Sequence, residues 1–222
     1  MSKSPKTLNL LFDNQINIKQ SILKEFENEN FFYALSHHIF RIKTILTHDI
    51  YINNIVELAN HSLSTLINTK FLFPENYFIK PNGIDYQRYL LYFDKITKFI
   101  VMAVVWPPKS STPIHDHGTW GVVGVLKGKL SVINYELTKD SSNFGNKSIN
   151  KVGSICANVG DTTCVFPPDN DIHMVSNAHS SYSISIHTYG NELKKYNIYN
   201  LKNKKIEKNN LKYNSIENFF WK

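Results

Sequence analysis

Two histidines that lie two residues apart, His115 and His117 in the segment PIHDHGTWGVVGVLKG, are the first candidates for chemistry in this sequence. In an extended strand, residues i and i+2 point to the same face, so both imidazoles can bind one metal ion. The valines, leucine and glycines that follow are typical of a buried strand and its turn. The pair is a weak signal by itself, because histidines also occupy ordinary surface and core positions.

A third candidate ligand is His173, in the segment GDTTCVFPPDNDIHMVSN. A short apolar strand runs into Pro167, Pro168 and a polar turn, and the histidine follows directly. This order predicts a tight corner after which one imidazole points inward.

Together the two segments resemble the paired signature of the cupin superfamily. The first half supplies His-x-His, and the second half is filled by Gly160, Pro167, His173 and Asn177. Many cupins place a glutamate four or five residues after the second histidine, where this chain has Gly121 and Val122. The resemblance therefore implies a site of three neutral imidazoles without a carboxylate.

A second group of polar residues lies in the segment YSISIHTY. Alternation along a strand puts Ile184 and Ile186 on one face and the polar residues on the other. The polar residues are Ser183, Ser185, His187 and Tyr189. Such a face is costly to bury unless its groups bond to one another. One interpretation is a hydrogen-bonded row that ends in a tyrosine hydroxyl reaching into a cavity. The other is the polar outer face of an antiparallel sheet.

An arginine, Arg88, lies in the segment YQRYLLYFD, where alternation places it on one face with Tyr86, Leu90 and Tyr92. An arginine in this company is either a surface residue whose aliphatic stem covers apolar neighbours or a fork for a substrate carboxylate.

The order of these four elements, from Tyr86 to Gly190, resembles the thiol dioxygenases, namely cysteine dioxygenase and its bacterial relatives that oxidise 3-mercaptopropionate. The resemblance covers nearly half of the chain. It implies that His115, His117 and His173 bind one Fe(II) per chain, with the catalytic row Ser185, His187 and Tyr189 beside it. It also implies that Arg88 grips the substrate carboxylate. We expect Tyr86 and Trp120 to line the same substrate site.

Two departures from the family refine this expectation. Relatives that prefer 3-mercaptopropionate often carry glutamine in place of the arginine and another arginine after the tyrosine, whereas this chain has Arg88 and then Lys194 and Lys195. This favours cysteine, although HDHGTWGVVGVLKG resembles the bacterial group. Animal cysteine dioxygenases also form a thioether between the tyrosine and a cysteine, at whose position this chain has Gly121, so no such crosslink is expected.

The expected function is therefore the Fe(II)-dependent addition of O2 to the sulfur of a small thiol, best L-cysteine, giving cysteine sulfinate. Three neutral imidazoles leave an iron ion dipositive, with positions open for substrate and dioxygen. The first alternative is 3-mercaptopropionate dioxygenase. The others are a cupin lyase or isomerase, with the metal as Lewis acid and Tyr189 as base, and a cupin sensor that binds a small ligand.

Composition bounds the class of protein. The chain has 222 residues, of which 42% are hydrophobic, so it suits a single globular domain. Neither a membrane span nor a signal peptide is expected, and with only Cys156 and Cys164 a reducing cytoplasm with free thiols is favoured. The net charge of +7 is concentrated between Lys194 and Lys212, where lysines alternate with asparagines. We expect a solvated surface there, with no nucleic-acid or membrane partner, and a monomer or small homo-oligomer.

The pattern of elements predicts a mainly β fold, a cupin-type double-stranded β-helix or small antiparallel barrel, with an α-helical N-terminal segment. We expect one domain with helices in residues 1–73, a metal-binding barrel in 74–190, and C-terminal strands or tail in 191–222 that pack on the barrel through Phe219, Phe220 and Trp221. The segment from Asp140 to Asn150 is expected to be a surface loop. The expected strands are Tyr86 to Phe93, Phe99 to Trp106, His115 to Leu126, Lys129 to Leu137, Val152 to Ala157, Thr162 to Phe166 and Tyr182 to Tyr189.

Overall fold

The structure is a computed structural model that describes residues 31–71, 73–74, 78, 85–139, 147–168 and 170–214. Three expectations therefore lie wholly or partly outside the described residues. They concern the helical character of residues 8–30, most of the loop between Asp140 and Asn150, and the packing of the aromatic tail at Phe219, Phe220 and Trp221.

Within the described residues, two helices precede the strands, α1 at Phe31–Leu46 and α2 at Ile52–Asn68. Apolar residues at intervals of three and four give each helix one buried stripe, represented by Ile39 and Ile42 in α1. Phe40, the residue after Ile39, lies outside this stripe and is 68% exposed. Neither described helix is long and apolar enough to cross a membrane.

Ten strands follow in the part of the chain that the structure describes, and they confirm the predicted mainly β class. Their bounds are β1 Gln87–Phe93, β2 Ile100–Trp106, β3 Gly121–Lys127, β4 Lys129–Lys139, β5 Lys147–Asn158, β6 Thr162–Val165, β7 Ile172–Asn177, β8 Ser183–Tyr189, β9 Lys195–Asn200 and β10 Lys205–Asn210. The seven expected strands correspond to β1–β6 and β8. β7 was not expected as a strand, and β5 begins inside the expected surface loop.

The strands form two larger sheets and a hairpin, and every strand pair is antiparallel. The five-stranded sheet has the order β1-β2-β8-β3-β6, the three-stranded sheet has the order β5-β4-β7, and β9 pairs with β10. Side chains from both larger sheets, such as Val104 and Val125 on one and Val132 and Val175 on the other, form one apolar cluster between them. The inner faces of the two sheets therefore enclose a common interior, and the predicted cupin-type double-stranded β-helix is confirmed.

The helices cover the outer face of the five-stranded sheet. Val101 and Ala103 of β2 point outward and share an apolar cluster with Leu35 and Leu63 of the two helices. Since Met102 and Val104 point inward, β2 is buried on both faces along its whole length. The layers are therefore helices, five-stranded sheet and three-stranded sheet, and a ligand site inside the barrel is remote from the helices.

A buried polar contact joins the helical layer to β8. The His38 ring nitrogens lie 2.9 Å from Ser62 Oγ and 2.8 Å from Thr188 Oγ1. Burial, as the largest effect, lowers the pKa of His38 to about 4, so the ring is neutral near pH 7. His38 is thus a packing histidine with satisfied hydrogen bonds, and it fixes the strand that carries His187 and Tyr189.

The register of β1 contains one irregularity that changes a prediction. A bulge lies between Leu90 and Tyr92, which pair with Met102 and Val101 respectively. Tyr92 consequently packs with the helix-facing cluster, whereas Leu90 packs with the interior cluster. The expectation that Tyr92 shares a face with Arg88 is therefore wrong, because a bulge shifts the alternation by one residue.

Candidate metal centre

The three candidate ligands converge inside the barrel. His173 lies in β7, and its backbone exchanges two hydrogen bonds with that of His115, His115 N to His173 O at 3.0 Å and His173 N to His115 O at 2.9 Å. The ring centroids of each pair of histidines are 4.8–4.9 Å apart. One nitrogen of each histidine lies within 4.8 Å of the others, so one ion can contact all three.

The way in which His115 and His117 reach the site differs from the prediction. The strand expected from His115 to Leu126 begins only at Gly121, and His115 forms isolated bridges to His173 and Ile198. The segment then turns at Gly118, whose φ of +65° is a conformation that glycine adopts without strain. Convergence therefore comes from a bridge and a turn rather than from strand alternation.

Two hydrogen bonds orient the first two histidine rings. His115 Nδ1 donates to Pro113 O at 3.0 Å, and His117 Nδ1 donates to Asp171 Oδ1 at 2.9 Å. A carbonyl and a carboxylate accept only, so the proton of each neutral ring lies on Nδ1 and Nε2 keeps its lone pair. Metal-binding histidines are oriented in this way by carbonyl or carboxylate partners.

Asp171 was not predicted from the sequence. It accepts from His117 Nδ1, from His117 N at 3.0 Å and from Gly118 N at 2.8 Å. Burial raises the pKa of this carboxyl, but the hydrogen bonds from His117 and Gly118 outweigh that effect and hold its pKa below the ordinary value. The only available signal was an acidic residue two positions before His173, in the turn PDNDIH.

The site is electrostatically suited to a cation. Burial, followed by the neighbouring His117, lowers the pKa of His115 to about 3 and that of His173 well below its ordinary value. Both rings are therefore neutral near pH 7, which is the form that binds metal. Imidazole nitrogens suit zinc, copper, iron and nickel, so the donor set fits Fe(II) without selecting it uniquely.

The predicted row on β8 is present and is buried. Ser185 Oγ lies 2.7 Å from His187 Nε2, and His187 Nδ1 lies 3.2 Å from the Tyr189 hydroxyl oxygen. The row has a fourth member that the sequence did not indicate, Trp106, whose Nε1 donates to Ser185 Oγ at 2.9 Å. The interpretation as an outer polar face is thus excluded, since Ser185, His187 and Tyr189 are all buried.

Trp106 favours one direction for these hydrogen bonds. An indole N–H can only donate, so the Ser185 hydroxyl accepts from Trp106. When Ser185 gives its own proton to His187 Nε2, the neutral ring carries its proton on Nδ1, donates it to the Tyr189 oxygen and leaves the Tyr189 proton available to the cavity. Burial, as the largest effect, lowers the pKa of His187 to about 3 and raises that of Tyr189, so His187 is neutral and Tyr189 keeps its proton.

Arg88 lies at the same cavity as the histidines. Its Nη2 donates to the Tyr86 hydroxyl at 2.5 Å, and its guanidinium carbon is 4.6 Å from the Tyr86 ring centroid and 6.0 Å from that of Tyr196. In the part of the chain that the structure describes, no carboxylate forms an ion pair with Arg88. The guanidinium is thus held by aromatic rings and keeps donors for an external anion.

The cavity itself has a volume of about 30 Å³. Its wall includes nearly all of the predicted site residues, namely Tyr86, Arg88, His115, His117, His173, His187 and Tyr189. Ser185 lies behind His187 and does not line the cavity. The small volume limits the occupant to a small molecule.

Trp120 is placed elsewhere. It belongs to the helix-facing apolar cluster, and its ring covers Gly190 so closely that a Cβ at that glycine would overlap the indole. It is absent from the cavity wall, whereas Trp106 is part of it. The expected substrate contact of Trp120 is therefore corrected, because its side chain packs on the outer face of the five-stranded sheet.

The C-terminal hairpin contributes residues that the sequence did not indicate. Asp116 accepts from Asn197 N at 2.8 Å, from Asn197 Nδ2 at 2.7 Å and from the Tyr199 hydroxyl at 2.7 Å. These bonds fix β9 against the segment between the first two histidines. As a result Tyr196 lines the cavity and lies 5.7 Å from His115 between ring centroids.

Gly121 lies directly against Tyr189. The two residues are register partners on β3 and β8, and a Cβ at Gly121 would overlap the Tyr189 ring and contact Val165 Cγ2 at 2.9 Å. Only glycine leaves room for the tyrosine in this position. Residue 121 is therefore adjacent to Tyr189, as the resemblance to cysteine dioxygenases implied. Because it is glycine and has no thiol, it cannot form the thioether of the animal enzymes.

No protein-family model matches the chain. Among solved structures, an oxalate oxidase in complex with glycolate is 18% identical, with 50% of this chain and 53% of that chain covered and a TM-score of 0.38. A cupin superfamily protein from Desulfitobacterium hafniense DCB-2 is 12% identical (51% and 84% covered, TM-score 0.36), and a cupin domain from Bordetella pertussis Tohama I is 14% identical (50% and 97% covered, TM-score 0.32). The chain thus spans about half the length of the oxalate oxidase. These structural neighbours are cupin-superfamily proteins, and at such low similarity a function must be inferred from the residues of the site.

Proposed function

We propose that this protein is an Fe(II)-dependent thiol dioxygenase that adds both atoms of O2 to the sulfur of a small thiol carboxylate, with L-cysteine converted to cysteine sulfinate. One observation carries the proposal. Three buried imidazoles line the same small cavity as an arginine that has no carboxylate partner among the described residues. A ferrous ion bound by three neutral ligands and a substrate anion bound by Arg88 are chemically complementary occupants.

His115, His117 and His173 would hold the iron through their free ring nitrogens. When bound, ferrous iron supplies the activation of dioxygen and favours ionisation of a thiol, whose ordinary pKa is near 8.5. Asp171 and the Pro113 carbonyl keep the His117 and His115 rings oriented before the ion arrives. This preorganisation reduces the entropy that ligand binding would otherwise lose.

Arg88 would hold the substrate carboxylate. A guanidinium matches a carboxylate bidentately, and one Nη of Arg88 is already fixed by the Tyr86 hydroxyl. Tyr86 is in turn stacked on Trp106, with ring centroids 5.0 Å apart and an interplanar angle of 24°. The fork is therefore held by packed aromatic rings, and it places the sulfur of a short substrate toward the histidines.

Tyr189 would donate a hydrogen bond into the cavity. Its ring stacks on His117 at 4.9 Å between centroids, and its oxygen accepts from His187, so its proton points away from the row. A buried, protonated hydroxyl in this place stabilises negative charge that develops on substrate or oxygen. His187 and Ser185 are positioning residues in this scheme, because they act through Tyr189.

The test is oxygen uptake by iron-loaded protein with three thiols. L-cysteine has both a carboxylate and an amine, 3-mercaptopropionate has only the carboxylate, and cysteamine has only the amine. We expect one O2 consumed per cysteine and little uptake with cysteamine, because Arg88 has no carboxylate to bind. 3-Mercaptopropionate shares the carboxylate, so its rate relative to cysteine measures the importance of the amine. The absence of uptake with every thiol would contradict the proposal and favour a lyase, an isomerase or a ligand-binding protein.

The role of Arg88 is tested by Arg88→Gln. A charge-assisted hydrogen bond contributes about 1.5–3 kcal/mol, so kcat/KM for cysteine should fall by roughly 10- to 150-fold, chiefly through KM. Arg41→Gln is the matched control, since Arg41 lies in α1 away from the cavity. Equal effects of the two substitutions would remove Arg88 from the substrate site.

A further inference from the structure

A second cavity lies in the barrel interior and shares His173, Val175 and His187 with the first. Its volume is about 20 Å³. The first cavity extends toward β1, β2 and the C-terminal hairpin, whereas the second is lined by residues of β3 to β8. The two cavities thus approach the histidine site from different sides.

The wall of the second cavity is mainly aliphatic. It includes buried valines from four strands, namely Val123, Val125, Val132, Val165 and Val175, together with Leu130. Both ring nitrogens of His187 already have partners, Ser185 and Tyr189, so that ring offers no hydrogen-bonding group to this space. A water molecule needs about two to four polar partners, which the aliphatic part of this wall does not supply.

A cavity with such a wall selects small apolar molecules. A molecule of the size of water needs about 10–15 Å³ of cavity space, so a volume of about 20 Å³ has room for one very small molecule and excludes a larger organic compound. Half-buried Asn134 and Thr163 also line it, so its wall includes residues in contact with solvent. A molecule inside the cavity lies next to the His173 ring.

We propose that this second cavity is a binding site for an apolar diatomic gas, through which dioxygen reaches the histidine site without passing the thiol. The identity of the gas rests on the proposed function, whereas the presence of an apolar gas site does not. The separation has a physical reason. A thiol carboxylate held by Arg88 fills the first cavity of about 30 Å³, so a second approach allows both reactants to be present together.

The direct test is a crystal structure of the iron-loaded protein under xenon pressure. Xenon binds in apolar protein cavities, and we expect it in the aliphatic part of this one, between Val123, Val132 and Val175. The test does not depend on turnover. Xenon in this place without thiol-dependent oxygen uptake would support the gas site and contradict the proposed function. Oxygen uptake with ordered water or no xenon in the cavity would support the function and contradict the gas site.

A kinetic test uses Val123→Ile, which adds one methylene to the cavity wall. We expect a several-fold rise in KM for O2, loss of the bound xenon, and little change in KM for cysteine. Val122→Ile is the matched control, because it adds the same methylene on the helix-facing side of β3, away from the cavity. Val132→Ile, on the opposite sheet, should act like Val123→Ile if the latter folds poorly. An unchanged KM for O2 in both cavity variants would overturn the proposal.

Discussion

The substitution Asp171→Asn tests whether the histidine site is preorganised for metal. The carboxylate accepts three hydrogen bonds, two on Oδ1 from the backbone and ring of His117 and one on Oδ2 from Gly118 N. An asparagine side chain has nearly the same shape but only one acceptor oxygen. If that oxygen keeps the two bonds to His117, the amide NH2 must face the Gly118 N–H, where it cannot accept.

The expected effect follows from this count. The substitution removes the negative charge and one charge-assisted hydrogen bond, which contributes about 1.5–3 kcal/mol. Changing the partner of a metal-bound histidine lowers metal affinity by about 10- to 100-fold, equivalent to about 1.4–2.8 kcal/mol. The two ranges agree, so we expect the dissociation constant for Fe(II) to rise about 10- to 100-fold.

The assay is competition for Fe(II) with a chelator under anaerobic conditions. Asp161→Asn is the matched control, because Asp161 accepts from Asn158 in an exposed turn away from the histidines. It should bind iron like the unsubstituted protein. If Asp171→Asn and Asp161→Asn bind iron equally well, the carboxylate does not orient His117 and the reasoning is refuted.

Three further substitutions test packing, hydrogen-bond direction and acid stability. Gly121→Ala should reduce the free energy of unfolding by about 1–3 kcal/mol, measured in urea, and lower kcat, because the new Cβ would overlap the Tyr189 ring. The control is Gly153→Ala, where the new Cβ meets open space. Equal stabilities of the two variants would contradict the packing of Gly121 against Tyr189. Trp106→Phe removes the N–H donor to Ser185. We expect kcat to fall about fivefold, equivalent to about 1 kcal/mol, with the KM for cysteine little changed. An unchanged kcat would show that this donor is dispensable. Burial raises the pKa of Asp94, but hydrogen bonds in its turn outweigh that effect and lower the pKa from 3.8. Its stabilising effect is therefore complete above about pH 4 and is lost as pH falls below that value. The stability difference between Asp94→Asn and the unsubstituted protein should shrink over this acid range in urea unfolding at a series of pH values, and a constant difference would exclude a role of the carboxylate.

The local order of residues predicted the main parts of the site because strand alternation is a local property. Ser185, His187 and Tyr189 lie on one face of β8 as their spacing indicated, whereas the histidines of two distant segments converge through a bridge and a turn. The row on β8 depends on that strand alone, so the sequence was sufficient for it.

Other features depend on contacts between segments that are distant in sequence. Asp171 becomes important only because it meets the backbone of Gly118, and Asp116 only because β9 lies beside it. The bulge in β1 reverses Tyr92, and Trp120 lies on the outer face because the chain turns before β3. The alternation of residues within one segment cannot locate a bulge or a bridge to another segment. The incorrect predictions arose at those places.

The most direct measurement of the central claim is the fate of isotopically labelled dioxygen. Iron-loaded protein would be incubated with L-cysteine under heavy-oxygen gas, and the product would be analysed by mass spectrometry. We predict cysteine sulfinate in which both added oxygen atoms come from the gas, because the proposal brings substrate and dioxygen together at one site of three imidazoles. A product with one labelled oxygen or none, or cystine formed together with hydrogen peroxide, would contradict a dioxygenase.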